Sequence, residues 1–163
     1  MSIVKWIVVV IVVIVVAAIG AGQLGLFRSA APADIGVREG KLKPPSATEN
    51  SVTSQAALYP DHPQRAYAAV APLALRGDGA ATMAKLKAIV VAMPGTRVVE
   101  STPDYLYAQV TTPLMKFVDD VEFWFDPAAQ AVQVRSASRV GQSDLGANRK
   151  RVEAVRAALA AVP

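Results

Sequence analysis

The sequence predicts an α+β fold: a single N-terminal transmembrane helix, then an antiparallel four-stranded sheet with two helices packed on one face. Three observations support this prediction. A long apolar run occupies residues 6–27, four segments with strand-like alternation follow later, and a helical stripe of apolar residues stands on either side of them. Short connections between consecutive strands favour antiparallel pairing, which leaves both helices on the same face.

The apolar run at residues 6–27 is long enough to cross a membrane as a helix. It includes an unbroken series of Ile and Val at residues 7–16, and as a helix it would rise about 33 Å, against a bilayer core of about 30 Å. Lys5 and Arg28 flank it. We predict a retained transmembrane signal anchor over residues 1–28, with the lipid bilayer as the partner of residues 6–27. A cleaved signal peptide is the alternative, because small residues follow the longest apolar stretch.

The composition excludes several classes of protein. The 163 residues are 53% hydrophobic, but the excess lies in the N-terminal run, so a multi-pass membrane protein is excluded. The absence of cysteine excludes disulfides, thiolate catalysis and cysteine-based zinc sites. The net charge of +4 comes from the two ends of the chain, so we expect no basic face for nucleic acid. We predict no metal, no cofactor and no nucleic-acid partner.

The chain after the apolar run divides into a linker and a domain. Proline, serine and threonine without a sustained period predict a Pro/Ser-rich linker over residues 29–63. The α+β domain is predicted over residues 64–163, and Leu145 is expected on the buried stripe of its last helix. The predicted helices are residues 80–93 and 145–162, and the predicted strands are residues 97–101, 105–112, 117–125 and 131–138.

Alternation along the strands assigns side chains to two faces of the sheet. One face is apolar and meets the helices, and the other carries aromatic and charged residues that are expected to be open to solvent. Pairing of Phe125 with Val132 would set Glu122 opposite Arg135 on that open face. Two interpretations are possible: a ladder of charges that keeps the face soluble, or a docking patch. The candidate partner-binding residues are Tyr107, Trp124, Arg135 and Glu122.

Acidic residues on the third predicted strand offer an enzymatic alternative. Asp119, Asp120 and Glu122 are the candidates for acid–base catalysis or metal binding. Adjacent residues of a strand point to opposite faces, so Asp119 and Asp120 cannot share a proton or a metal ion there. Asp120 is expected near Arg135 and Arg139, which would compete with a metal ion for its carboxylate. We therefore assign no catalytic residue and no metal ligand.

Two blocks of the sequence resemble a known family. The first is residues 117–123, which read FVDDVEF, and the second is residues 134–146 and 148–151, which read VRSASRVGQSDLG and NRKR. Both are similar to the domain-of-unknown-function 1499 family, which is bacterial with relatives in plastids. The resemblance runs from about residue 40 to residue 159. It implies a membrane-associated or exported domain and supplies no activity.

The chain departs from the family's pattern at one place. Many members look as if they carry cysteines in the segment 42–54, at the positions that Pro45 and Ser51 fill here. If those cysteines pair in the relatives, the crosslink would contribute about 2–3 kcal/mol to stability. Its absence puts in doubt any cysteine-based activity carried over from the family.

The second family block contains Arg139, Asp144, Asn148 and Arg149, which lie around the start of the last predicted helix. Arg–Asp and Asn–backbone hydrogen bonds there would fix how that helix leaves the sheet. The same residues could instead line an anion pocket, because a helix N-terminus near arginine attracts anions. Both alternatives are open from the sequence, and the basic run at residues 149–151 is expected to be a solvated helix face.

These observations predict a single-pass protein of the bacterial inner membrane with a periplasmic domain. We expect a non-enzymatic accessory or interaction subunit of the cell envelope, whose partner is another envelope protein or a membrane complex. The alternative is a small-ligand or anion-binding envelope domain. An enzyme of unknown reaction is the third hypothesis.

Overall fold

The structure is a computed structural model that describes residues 2–162. The chain forms four α-helices and six strands within that range. The helices are α1 (Ile3–Gln23), α2 (Arg65–Ala68), α3 (Gly79–Ala92) and α4 (Ala147–Ala161). The strands are β1 (Ser51–Thr53), β2 (Leu73–Ala74), β3 (Thr96–Ser101), β4 (Tyr105–Thr111), β5 (Val118–Asp126) and β6 (Ala131–Ser138).

The sheet is antiparallel, as predicted, but it has six strands rather than four. Strands β3 to β6 form a meander, and β1 and β2 both pair with the outer edge of β6. β1 lies opposite residues 135–137 and β2 opposite residues 131–132, so the two follow each other along one edge. The prediction missed them because strands of three and two residues are too short to show an alternation.

The predicted register of the last two strands is confirmed. Phe125 pairs with Val132, and Glu122 pairs with Arg135. The connecting turn is closed by Asp126, whose Oδ1 accepts hydrogen bonds from the backbone N–H groups of Ala128 (3.0 Å) and Ala129 (3.1 Å). A short polar turn between two alternating strands therefore determines which side chains meet across them.

Helices α3 and α4 cover the apolar face of the sheet and form the main core with it. Asp78 caps α3 by accepting a hydrogen bond from the Ala81 N–H at 2.7 Å, and the helix ends before Pro94 and Gly95. Gly95 adopts φ 73°, and a Cβ there would approach the Thr111 carbonyl oxygen at 2.4 Å. The buried side chains from the helices are Met83, Leu86, Val90, Val152, Val155 and Leu159, and those from the central strands include Leu106, Ala108, Val121, Phe123, Val132 and Val134.

One residue expected in this core lies outside it. Leu145 is 88% exposed, because α4 begins at Ala147 and Leu145 belongs to the loop before it. Its backbone adopts a left-handed conformation with φ 52°. The prediction extended the helical period past the real start of the helix, so it placed Leu145 on the wrong surface.

The predicted linker is wrong as a description of residues 29–63, because much of this region packs on the second face of the sheet. We call residues 29–50 the covering segment. Leu42 is fully buried against Tyr105 and Tyr107, and Ile35 and Val37 pack on the same cluster with Trp124. The segment has no regular period and few apolar residues, which is why its sequence resembles a linker. The packed domain therefore begins well before the predicted boundary at residue 64.

Packing of the covering segment leads to a stability prediction. We expect Leu42→Ala to lower the free energy of unfolding by about 2–5 kcal/mol, because it leaves a cavity between the segment and the sheet. Denaturant unfolding of the full chain in detergent measures this change by the fluorescence of Trp124, in a Trp6→Phe background because the sequence contains both tryptophans. Leu58→Ala is the matched control, because Leu58 is exposed and its truncation should change stability by less than about 0.5 kcal/mol. Equal effects of the two variants would contradict a packed segment.

Candidate functional site

The four candidate docking residues lie on one face of the sheet, as predicted, but under the covering segment. Glu122 is 0% and Arg135 3% exposed, Tyr107 is buried, and Trp124 is partly buried. The expectation of an open docking face is therefore wrong. Buried charged side chains need partners, and the covering segment and the neighbouring strands provide them.

Glu122 and Arg135 meet at the centre of the covered face. Glu122 Oε1 accepts hydrogen bonds from the Gly36 N–H and the Tyr105 hydroxyl, both at 2.8 Å. Its Oε2 has no hydrogen-bond partner among residues 2–162 and lies 3.7 Å from Arg135 Nη1. Burial raises the pKa of Glu122 above its usual range and lowers the pKa of Arg135. The pair is a loose contact between two poorly solvated charges.

Arg135 also borders a cavity of about 330 Å³ between the covering segment and the sheet. Its Nε donates to the Pro44 carbonyl oxygen at 3.2 Å, which is its one hydrogen bond among the described residues. Lys43 and Arg139 line the same cavity, but Lys43 is paired with Asp34 at 2.6 Å. Of the three cations that line this cavity, Arg135 therefore has the longest distance to its carboxylate partner.

Arg139 and Asp120 form a close ion pair on the same face, as expected from the sequence. Arg139 donates to both carboxylate oxygens of Asp120, at 2.9 and 2.7 Å, and to the Ser29 carbonyl oxygen at 2.6 Å. The Tyr107 hydroxyl donates to Asp120 Oδ1 at 2.6 Å. The hydrogen bonds that Arg139 donates to the Asp120 carboxylate raise the pKa of Arg139. This pair fixes the start of the covering segment on the sheet.

Asp119 points to the opposite face, which confirms the assignment made from strand alternation. Its Oδ2 accepts a hydrogen bond from Arg151 Nη2 at 2.5 Å, and both side chains are largely buried. Arg151 comes from α4 and was expected on a solvated helix face. Arg151 is the last of three consecutive basic residues, and nothing in the sequence distinguishes it from the other two. The sequence therefore could not predict its contact with Asp119.

Asn148 lies at the centre of a hydrogen-bond network that joins α4 to the sheet. It is fully buried, and its Oδ1 accepts from Ser136 Oγ and Arg151 Nη1, both at 2.6 Å. Its Nδ2 donates to the Asn50 carbonyl oxygen and to Ser138 Oγ, both at 3.0 Å. All the hydrogen-bonding capacity of the amide is used, so Asn148 holds the structure together and does not face a ligand.

Asp144 and Arg149 complete the connection between α4 and the rest of the domain. The Asp144 carboxylate accepts from the N–H groups of Gly146 (2.9 Å) and Asn148 (2.8 Å) and from the Tyr67 hydroxyl (2.8 Å). Arg149 donates to the carbonyl oxygens of Ala69 and Tyr67. Three of the four family-block residues therefore form a structural network, while Arg139 belongs to the separate pair with Asp120.

The acidic residues of the enzymatic alternative all have partners. Asp119 is paired with Arg151, Asp120 with Arg139, and Glu122 with Tyr105 and the Gly36 amide. Residues 2–162 contain no group of three or more His, Asp or Glu side chains placed to hold a metal ion.

The two positions at which cysteines are expected in the relatives, Pro45 and Ser51, lie in the covering segment and in β1. Pro45 and Ser51 are both buried, and Ser51 Oγ accepts a hydrogen bond from the Ser46 N–H at 2.7 Å. In this chain a hydrogen bond closes the loop between residues 46 and 51.

Burial of Glu122 leads to a prediction about pH. A carboxyl with a raised pKa binds its proton more tightly in the folded chain, so its contribution to the free energy of unfolding falls as the pH rises above its ordinary pKa of 4.5. Glu122→Gln keeps an acceptor for Gly36 and Tyr105 but cannot ionise. We therefore expect this variant to gain stability relative to wild type as the pH rises from 4.5 towards the raised pKa. Denaturant unfolding of wild type and Glu122→Gln at several pH values measures the difference.

Comparison with known proteins identifies the family of the chain. The family model described as a protein of unknown function, DUF1499, matches residues 41–159, which include β1 to β6, α2, α3 and nearly all of α4. No curated protein and no solved structure matches the chain. The resemblance inferred from the two sequence blocks is confirmed, and the chain belongs to the DUF1499 family.

Proposed function

We propose that this protein is a single-pass, membrane-anchored accessory protein of the bacterial cell envelope that acts by binding and not by catalysis. The observation that carries the proposal is helix α1. It is long and apolar enough to cross a membrane. Its mean hydropathy reaches 3.0 over a stretch of 18 residues, and none of that stretch is buried in the protein. Its apolar side chains from Ile3 to Val16 are exposed, and a bilayer would cover them.

Contacts at the end of α1 support an anchor that stays attached to the domain. Gln23 Nε2 donates to the carbonyl oxygens of Pro113 (3.1 Å) and Leu114 (2.8 Å) in the loop between β4 and β5. A Cβ at Gly22 would lie 2.6 Å from the Met115 carbonyl oxygen, so the helix and the loop approach closely. A cleaved signal peptide also begins with an apolar helix, but these packing contacts with the mature domain favour retention.

The carboxylates support binding over catalysis. Each acidic residue of the enzymatic hypothesis holds an arginine, a tyrosine or a backbone amide in place, and a general acid or base needs access to a substrate. The proposed location is the inner membrane with the domain in the periplasm, and the proposed partner is another envelope protein or a membrane complex.

Single-cysteine labelling tests anchor and topology together, because the chain has no cysteine of its own. We expect Ala129→Cys, in an exposed turn of the domain, to react with a membrane-impermeant maleimide in intact spheroplasts. Ser2→Cys, the control on the other side of α1, should react only after lysis. We also expect the chain to resist alkaline carbonate extraction and to retain its N-terminal peptide by mass spectrometry. A soluble chain that begins after residues 17–22 would overturn the anchor.

A second candidate function is binding of a small anion in the cavity beside Arg135. The specific observation is that Arg135 is 3% exposed and lines this cavity, and that its guanidinium lies 3.7 Å from the Glu122 carboxylate. A small carboxylate or phosphate would complete its charge-assisted hydrogen bonds. This retains part of the anion hypothesis, without Asn148 or Arg149. The lining cations are Arg135, Arg139 and Lys43, and the Asp120 carboxylate in the same lining is neutralised by Arg139.

Thermal unfolding with inorganic phosphate tests the second candidate. At constant ionic strength, we expect phosphate to raise the wild-type melting temperature, because a ligand at about 100 times its Kd stabilises by about 2.7 kcal/mol. Arg135→Met should abolish the rise. Arg156→Met should preserve it, because Arg156 does not line the cavity and its partners are Glu153 and the Ala71 and Pro72 carbonyl oxygens. If Arg135→Met does not fold, Ala47→Phe offers a second way to obstruct the same cavity. An equal rise in all variants would exclude the site.

A further inference from the structure

A groove of about 630 Å³ lies between the end of α1 and the loop that precedes α4. This volume falls within the usual range for sites that bind small molecules. Leu26 and Phe27 form one wall, and Phe117, Val140 and Leu145 contribute from the domain. The rings of Phe27 and Phe117 are in contact, with their centroids 5.5 Å apart. The site residues predicted from the sequence did not include these groove residues.

The groove lies at the level where α1 would leave a bilayer. The chain turns sharply after α1, with Leu26 N–H donating to the Ala21 carbonyl oxygen at 3.1 Å, so Leu26 and Phe27 stay beside the helix end. The proposed span ends at Gln23. If α1 spans the membrane, as proposed above, the groove opens into the interface between lipid and water.

Large apolar side chains are exposed around this groove. Leu24, Leu26, Leu114 and Leu145 are all more than half exposed, and Leu114 lies in the loop that contacts Gln23. An exposed apolar patch with a polar rim is typical of a surface that meets a partner or a membrane. Its position next to the membrane helix identifies the partner as the membrane itself.

The backbone at Leu145 supports a role for its exposure. A left-handed conformation is unusual for a bulky residue and is kept when the surroundings impose it. Here Leu145 N–H donates to Ser143 Oγ at 3.2 Å, and the following Gly146 N–H donates to the Asp144 carboxylate. The side chain is thus held outward at the mouth of the groove by the same network that starts α4.

The lining combines apolar side chains with charged ones, as a site for a phospholipid requires. The charged lining residues are Arg28, Asp119 and Asp144. The charge of Asp119 is compensated by Arg151, and the Asp144 carboxylate accepts hydrogen bonds from the Gly146 and Asn148 N–H groups and from the Tyr67 hydroxyl. Arg28 is therefore the lining cation for a phosphate.

We propose that this groove binds one phospholipid of the surrounding bilayer. An acyl chain lies along Leu26, Phe117 and Val140, and the phosphate lies near Arg28. Leu145 inserts into the bilayer beside it. This inference rests on the proposed anchor. It names a ligand for the end of the domain next to α1, and it implies that this end of the domain faces the membrane.

Spin labelling tests the membrane contact of Leu145. The full chain is reconstituted into vesicles of phosphatidylethanolamine and phosphatidylglycerol with a nitroxide at Leu145→Cys. We expect that label to be more accessible to oxygen than to a water-soluble nickel chelate. Ala129→Cys is the control, because Ala129 is exposed in the turn after β5, at the opposite end of that strand from the groove, and its label should favour the nickel chelate. A label at residue 145 with the accessibility of the label at residue 129 would overturn the inserted loop.

Lipid retention tests the groove itself. In native mass spectrometry from mild detergent, we expect one bound phospholipid on the wild-type chain and severalfold less on Val140→Trp, which fills the groove. Val99→Trp is the control on exposed β3 and should retain the lipid. Equal retention by all three chains, or retention by none, would overturn the lipid site. Failure of the anchor itself appears separately, as a chain that is cleaved or extracted from membranes.

Discussion

The structure depends on the covering segment, because it makes the polar face of the sheet a buried face. Glu122, Arg135, Asp120 and Arg139 would be ordinary surface charges on an open sheet. Under residues 29–50 they lose solvent, and an unpaired buried charge is strongly destabilising. The segment compensates with backbone groups: the Gly36 N–H to Glu122, the Pro44 carbonyl to Arg135 and the Ser29 carbonyl to Arg139.

Two charge systems therefore occupy the two sides of one sheet. Asp120 and Arg139 attach the covering segment on one side, and Asp119 and Arg151 attach α4 on the other. The sheet separates the adjacent carboxylates, so each has its own arginine. Asn148 links the second system to β6 and to Asn50, at the end of the covering segment. The position of the segment and the position of α4 are thus coupled through hydrogen bonds.

This coupling gives the proposed function a mechanical basis. The covering segment begins shortly after α1 ends and is bound to the sheet at several points, so the domain is not carried on a loose tether. The two candidate ligand sites lie at this junction: the cavity beside Arg135 is bounded by the segment, and the groove is bounded by the exit of α1. A ligand in either place would contact both the domain and the chain that leads to α1.

Local patterns in the sequence were sufficient to predict the meander β3 to β6, the helices α3 and α4, the apolar helix α1 and the pairing of Glu122 with Arg135. Each depends on a short-range period or a short turn, which neighbouring residues specify among themselves. Alternation also placed Asp119 and Asp120 on opposite faces. Local patterns did not show what covers the second face, because the contacts of the covering segment are made to residues far along the chain.

Tertiary structure alone decided the remaining features. β1 and β2 exist because β6 offers an unpaired edge, and their few residues carry no signal of their own. Arg151 became an ion-pair partner because α4 presents it to Asp119, and Leu145 became exposed because α4 begins two residues later. Whether a charged side chain is a surface group or a buried one depends on what folds over it, and a non-periodic segment held by backbone hydrogen bonds leaves no such record in the sequence.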